Sequence, residues 1–383
     1  MTHRERILTS LRRREPDRIP LDLGSTLAST MTENAHARMR EYLDLPAGSP
    51  ATVFSKRSRT VVPDEAILDR FQVDCRPLLM GSSEGKPDRE LSAGAFVDEW
   101  GVTWSRPAGG HFISTGGPFY NCEEPSAGDL ASAEWPDPAD PGRFRGLRER
   151  ARLLHETTDY AIVLNLGVGP VHQCQFVRGY GEWLEDLVAR PAFAEALLDR
   201  ATDFWERVSD RALAEAGEFV DLVWYGDDVG TQRGCLMRPD TYRRLVKPCH
   251  KRMAELARRH GKPIVFHSCG SVYPLIPDFI EIGIDALNPV QVSAAHMDTR
   301  QLKREFGRDL AFWGGVDTQQ VLPWGTPDQV RDEVRRRIDD LARGGGYVLC
   351  AVHNIQAEVP PENVQAMYGE AMAYGRAAAA VPS

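Results

Sequence analysis

No stretch of the chain approaches the roughly 20 apolar residues that a membrane-spanning helix needs, and the opening Met1-Thr-His-Arg-Glu-Arg lacks the apolar run of a signal peptide. No membrane association is expected, and the expected location is cytoplasmic. There is no strong excess of one charge. The 46 Lys and Arg stand against 55 Asp and Glu, a net charge of −9, and the runs Arg12–Arg14 and Arg335–Arg337 each sit beside acidic residues. Nucleic acid is therefore not the expected partner. Cysteine is sparse: seven residues (Cys75, Cys122, Cys174, Cys235, Cys249, Cys269, Cys350), odd in number and scattered, argue against a disulfide framework and for free thiols or metal ligands. A glycine-rich phosphate loop after an early strand is also missing, which counts against an open dinucleotide-binding sheet. What is present, 383 residues with 42% hydrophobic and 26% charged, is the composition of a globular protein with a large core.

The second half carries a regular alternation. Pro263–Cys269 is a short apolar run suited to a buried strand, followed by Val272, Leu275, Ile276, Phe279 and Ile280 at helical spacing. Ile284–Val290 reads as the next strand, 298–307 as a helix, and Leu310–Val316 as a strand. Thr326-Pro327-Asp328-Gln329 is a capping box with proline in the first turn. It opens a helix with Val330, Val334, Ile338 and Leu341 on one face, ahead of the strand Tyr347–Val352. Upstream lie a strand at Leu222–Tyr225 and a long helix marked by Tyr242, Leu245, Cys249, Met253 and Leu256, with a bend expected at Pro248. Five strands and four helices in series require parallel strands with right-handed crossovers. The expected fold is an α/β (β/α)8 TIM-type barrel over 1–383 with an N-terminal elaboration. Arg18–Leu23 is then an early strand, Tyr160–Leu166 a middle one, and 25–158 an insertion or lid over the barrel mouth.

In such a barrel the chemistry sits at the C-terminal ends of the strands. Those ends carry Asp227 and Asp228, then His267 and Cys269, then Asn288 and Gln291, then Asp317, then Cys350 and His353. Residues two apart in a strand point to one side, so His267 and Cys269 can aim at a single ion. Imidazole with thiolate suits zinc. The third ligand is placed to come from His353 or Cys350. Asp227 and Asp228 are the candidates to hold a substrate hydroxyl or relay a proton, unless one of them caps a turn and only the other faces the pocket. Tyr225 and Trp224 alternate, so one of the two faces the interior; Tyr225, His172, Asn288, Gln291 and Asp317 are the candidates to line a substrate site.

Gly226-Asp227-Asp228-Val229-Gly230-Thr231-Gln232, Phe266-His267-Ser268-Cys269-Gly270, Asn288-Pro289-Val290-Gln291, Phe312-Trp313-Gly314-Gly315-Val316-Asp317-Thr318 and His353-Asn354-Ile355-Gln356 resemble the uroporphyrinogen decarboxylase superfamily. More narrowly they resemble its corrinoid-dependent methyltransferase branch, over about 160–375, with Glu15-Pro16-Asp17-Arg18-Ile19-Pro20 matching the family's opening. The resemblance implies a barrel, a zinc ion on His267 and Cys269, and a corrinoid on a separate carrier protein. For the third ligand it favours His353 over Cys350, although the coenzyme M methyltransferases have a cysteine there. Gln291 falls near a position where those enzymes carry an acidic residue. The arginine-rich motif that holds a tetrapyrrole's carboxylates has no match after Arg18. The expected activity is zinc-dependent transfer of a methyl group between a small methylated, in particular methoxylated, compound and a protein-bound corrinoid. The alternatives are a metal-free decarboxylase or lyase of the same superfamily and a ligand-binding barrel without turnover.

Overall fold

The computed structural model describes residues 1–46 and 51–379. Seven parallel strands lie side by side in chain order: Cys75–Leu79, Ala161–Val168, Leu222–Gly226, Ile264–His267, Ala286–Asn288, Ala311–Val316 and Tyr347–Ala351. Residues 20–22 close the ring. Leu21 is bridged in parallel to Leu349, and Leu21 O accepts from Asp74 N on the other side at 2.8 Å. This is the (β/α)8 barrel that the alternation implied. Pro20 has no N–H to donate, and its carbonyl accepts from Leu349 N at 2.9 Å. Among the described residues no helix is long and apolar enough to cross a membrane.

Strand alternation sorts the side chains into two layers. Ala161, Val163, Leu222, Trp224, Val265 and Trp313 point inward and form one cluster, with Ile7 and Leu11 of the helix His3–Leu11 in the same cluster. Ile162, Leu164, Val223, Tyr225, Phe266 and Phe312 point outward into the larger core beneath the surrounding helices. The helix Pro327–Leu341 starts on the capping box of Thr326 and Gln329 and buries Val330, Val334, Ile338 and Leu341. Near Pro248, the expected site of a bend, the helix Lys247–Arg259 is preceded by a wide π-helical turn over Tyr242–Val246. Proline lacks the donor that would close the regular turn.

The segment 25–158 is more than an insertion, because Cys75–Leu79 within it is a barrel strand paired with Ala161–Asn165. Its Arg76 and Pro77 disguise it, since neither belongs to an ordinary buried-strand pattern. Arg76 is accommodated by stacking its guanidinium 3.6 Å from the centroid of the Tyr160 ring. The rest of the segment includes two small antiparallel sheets, one of them spanning Arg89–Gly116. Elements of this region meet the rim of the barrel. Met31 is bridged to Ile355, Trp104 packs edge-on against Phe176, and His111 Nε2 lies 2.9 Å from Gln356 Oε1.

Candidate metal centre

His267 is the last residue of its strand, and Cys269 follows in a loop whose own backbone N–H groups are held by neighbouring oxygens. Ser268 N donates to Asn288 O at 2.7 Å, Cys269 N to Asp228 Oδ1 at 2.7 Å, and Gly270 N to Gln291 Oε1 at 2.7 Å. Gly270 takes φ +89°, and a Cβ there would lie 2.6 Å from the carbonyl carbon of Gly230, so only glycine lets the two loops touch. His353 lies two residues beyond its strand. Its neighbour Asn354 is pinned to the 27–30 loop, accepting from Thr30 N at 3.0 Å and donating to Leu27 O at 3.0 Å.

The structure brings His267, Cys269 and His353 together: one ligand atom from each lies within 4.8 Å of the others. Cys269 Sγ is 3.5 Å from His267 Nε2. A tetrahedral ion with bonds of about 2.3 Å to sulfur and about 2.05 Å to nitrogen would separate those atoms by about 3.6 Å. Burial pushes His353 down to about 4, with His267 adding to the effect. Burial also lowers His267, against the pull of Asp228. Both imidazoles are thus neutral at pH 7, the form that ligates. Burial and then Asp228 push the Cys269 thiol well up, so a thiolate here needs a cation beside it. Two neutral imidazoles and a thiol at this spacing are a donor set that suits zinc.

Cys350 is not part of this group. It is fully buried inside the barrel beneath the rim and donates to Ala351 O at 3.2 Å. Strand parity explains the split, because Cys350 is within the strand Tyr347–Ala351 and points into the inner cluster, whereas His353 lies two residues beyond the strand's end.

The two aspartates part company. Asp227 is fully buried and accepts from Val171 N at 2.9 Å and His172 N at 2.8 Å, which caps the helix Pro170–Arg178 from outside. It also lies 2.9 Å from His250 Nε2. The helix's own cap position is Gly169, where a Cβ would come 2.3 Å from Asp227 Cγ. Asp227 therefore serves the fold rather than a substrate. Asp228 faces the site, 3.6 Å from His267 Nε2 and 3.6 Å from His172 Nε2. Burial opposes the charge on Asp228, but His172 and His267 hold its carboxyl well below the usual range. Burial would likewise depress His172, yet Asp227 and Asp228 push it up to about 10. His172 lies between the two carboxylates beside the cluster, its Nδ1 3.3 Å from Asp227 Oδ1 and its Nε2 3.6 Å from Asp228 Oδ2, and forms an ion pair with them.

Four candidates for lining a substrate have other work. Tyr225 points outward, packed against the rings of His250 and Phe266; the register that turns His267 inward turns its neighbour Gly226 inward and Tyr225 away. Asn288 is fully buried, its Oδ1 2.7 Å from His267 Nδ1. Gln291 braces two loops, accepting from Gly270 N and donating to Gln232 Oε1 at 2.9 Å. Asp317 accepts from Gln319 N at 2.7 Å in a turn. Trp224 is the one of the alternating pair that faces the interior, and Gln232 and His250, to which sequence reasoning assigns no role of their own, support the site. Parallel register was the signal for Trp224: it sits opposite Val265, two residues before the His267 level.

The model of a family described as Uroporphyrinogen decarboxylase (URO-D) matches residues 110–374, more than half the chain. A methylated-thiol–coenzyme M methyltransferase from Methanosarcina mazei is 27% identical over 176 residues, 46% of this chain and 43% of that protein. A uroporphyrinogen decarboxylase from Syntrophotalea carbinolica is 28% identical over 222 residues, 56% of this chain and 61% of that protein. The chain thus spans less than two thirds of the length of these two relatives. The solved structure of a methyltransferase from Methanosarcina mazei superposes with a TM-score of 0.66, at 19% identity, covering 98% of this chain and 99% of that one. At that identity the likeness shows the fold alone.

Proposed function

The chain belongs to the uroporphyrinogen decarboxylase family, and from that premise we propose that it is a zinc-dependent methyltransferase. In this reading it moves a methyl group between a small methylated, in particular methoxylated, compound and a corrinoid carried by a separate protein. The observation that carries the reading is the convergence of His267, Cys269 and His353 within 4.8 Å at the barrel mouth. The similarity to a methylated-thiol methyltransferase supports it.

His267, Cys269 and His353 would hold the ion. Zinc so held supplies a Lewis acid for the oxygen, nitrogen or sulfur that gives up or takes the methyl group. The other groups act around it. Asp228 orients the Cys269 loop through the backbone N–H at 2.7 Å. His172 holds a proton on Nε2 next to Asp228, where a demethylated product would need one. His111 and Gln356, joined across the rim, tie the N-terminal elaboration to the loop that carries His353.

The test is the metal content of purified protein, wild type against His267→Ala and Cys269→Ala, followed by methylation of a reduced corrinoid carrier from methoxylated compounds. Near-stoichiometric zinc in wild type alone, with product formed, is the expected result. The similarity to uroporphyrinogen decarboxylases favours a second reading, a metal-free carboxy-lyase. Wild-type protein that takes up no zinc after reconstitution under reducing conditions would select it.

A further inference from the structure

We propose that Asn288 is a positioning residue that fixes His267 as the tautomer protonated on Nδ1, so that the lone pair of Nε2 faces Cys269 and His353. The consequence for metal binding rests on the function proposed above; the tautomer itself does not.

A buried amide has two possible orientations, and its neighbours decide between them. Trp224 Nε1–H can only donate, and it points at Asn288 Oδ1 from 3.3 Å. The Trp313 carbonyl can only accept, and it receives Asn288 Nδ2–H at 3.2 Å. Turning the amide over would set donor against donor and oxygen against oxygen in a place closed to water, since Asn288 is 0% exposed. The orientation is therefore settled, and Oδ1 faces His267 Nδ1 at 2.7 Å. An oxygen there accepts only, so Nδ1 carries the hydrogen. Neutral imidazole has a single N–H, which leaves Nε2 with its lone pair, 3.5 Å from Cys269 Sγ.

The frame behind the amide is rigid. His267 and Asn288 face each other in register on adjacent parallel strands. Trp313 is anchored on its far side, donating from Nε1 to the buried Asp22 Oδ2 at 2.8 Å. A chain of fixed-polarity bonds thus runs from the closing segment of the barrel through Trp313 and Asn288 to His267. Groups that orient a ligand in this way raise its readiness to bind without touching the ion.

The experiment uses the full chain labelled with 15N-histidine and freed of metal by chelator, with the His267 signal assigned by its loss in His267→Ala. In wild type, long-range proton–nitrogen correlations should show Nδ1 protonated and Nε2 bare. In Asn288→Leu the hydrogen should move wholly or partly to Nε2. Zinc affinity by chelator competition should then fall about 10- to 100-fold, while Asn288→Asp, which keeps an oxygen facing Nδ1, should lose less. A wild-type His267 protonated on Nε2, an unchanged tautomer in Asn288→Leu, or unchanged zinc affinity in that variant would overturn the proposal. Should Asn288→Leu fail to fold, Trp224→Phe removes the donor that orders the amide and should give mixed tautomers. The tautomer is read without metal, so a wild-type protein that binds no zinc would defeat the proposed function and leave this inference to be decided on its own measurement.

Discussion

The same strands build two very different floors of the barrel interior. The lower floor is apolar and closed: Val163, Leu222, Val265 and Ala286 pack with Cys350 in a single cluster that includes Ile7 and Leu11. The upper floor holds His267, Cys269 and His353 with the Asp228–His172 pair beside them. Cys350 and Cys269 make the contrast sharp. Burial pushes both thiols well above their ordinary range, so readiness to lose a proton does not separate them. Their company does. Cys350 donates to the Ala351 carbonyl and is near the Trp313 indole and Asp22, with no imidazole in its set, whereas Cys269 has two imidazoles within 4.8 Å. What sets Cys269 among possible ligand atoms is where its strand ends rather than the thiol's own chemistry.

The largest effect that would break this contrast is loss of an upper-floor donor. Cys269→Ala should lower zinc retention by more than about 100-fold, beyond the range for groups that only support a ligand. Equilibrium dialysis against a chelator measures it, and a variant that keeps its metal would refute the assignment of the upper floor. Next comes Gly169→Ala, whose Cβ would come 2.3 Å from Asp227 Cγ. The crowding should destabilise the protein by about 1–3 kcal/mol in urea unfolding, showing that Asp227 belongs to the scaffold. Third is the pH dependence of His172, paired with Asp227 and Asp228. His172 is raised in the folded state to about 10, against about 6.5 when unfolded. Its contribution is then fully present below about pH 6.5 and lost as pH rises towards 10. The stability gap between wild type and His172→Gln should close across that window, and a gap constant with pH would dissolve the pair. The smallest effect is Cys350→Ala on the lower floor. It should cost about 1 kcal/mol for the small void and leave zinc stoichiometry unchanged.

The legibility of the sequence followed the same division. Strands bounded by helical periodicity between 220 and 352 could be read because an apolar run with a capped, amphipathic helix after it has few other solutions. Cys75–Leu79 could not, because Arg76 and Pro77 break the run and find their place against Tyr160, Glu65, Asp69 and the neighbouring strand. Within the site, His267 and Cys269 stood out by spacing alone. The choice between His353 and Cys350 turned on three residues of strand and loop, and Tyr225 against Trp224 on one residue of register.

The sequence by itself determined the barrel and the strand ends where its polar residues gather, since burial periodicity is a local property that every stretch carries with it. Only the tertiary structure decided which of those polar residues meet. Asp227 became a helix cap, Asn288 came to rest against His267 Nδ1, and Cys350 was enclosed among apolar side chains. Each of those outcomes depends on the parity and register of strands far apart in the chain, and a shift of one residue reverses which face a side chain occupies.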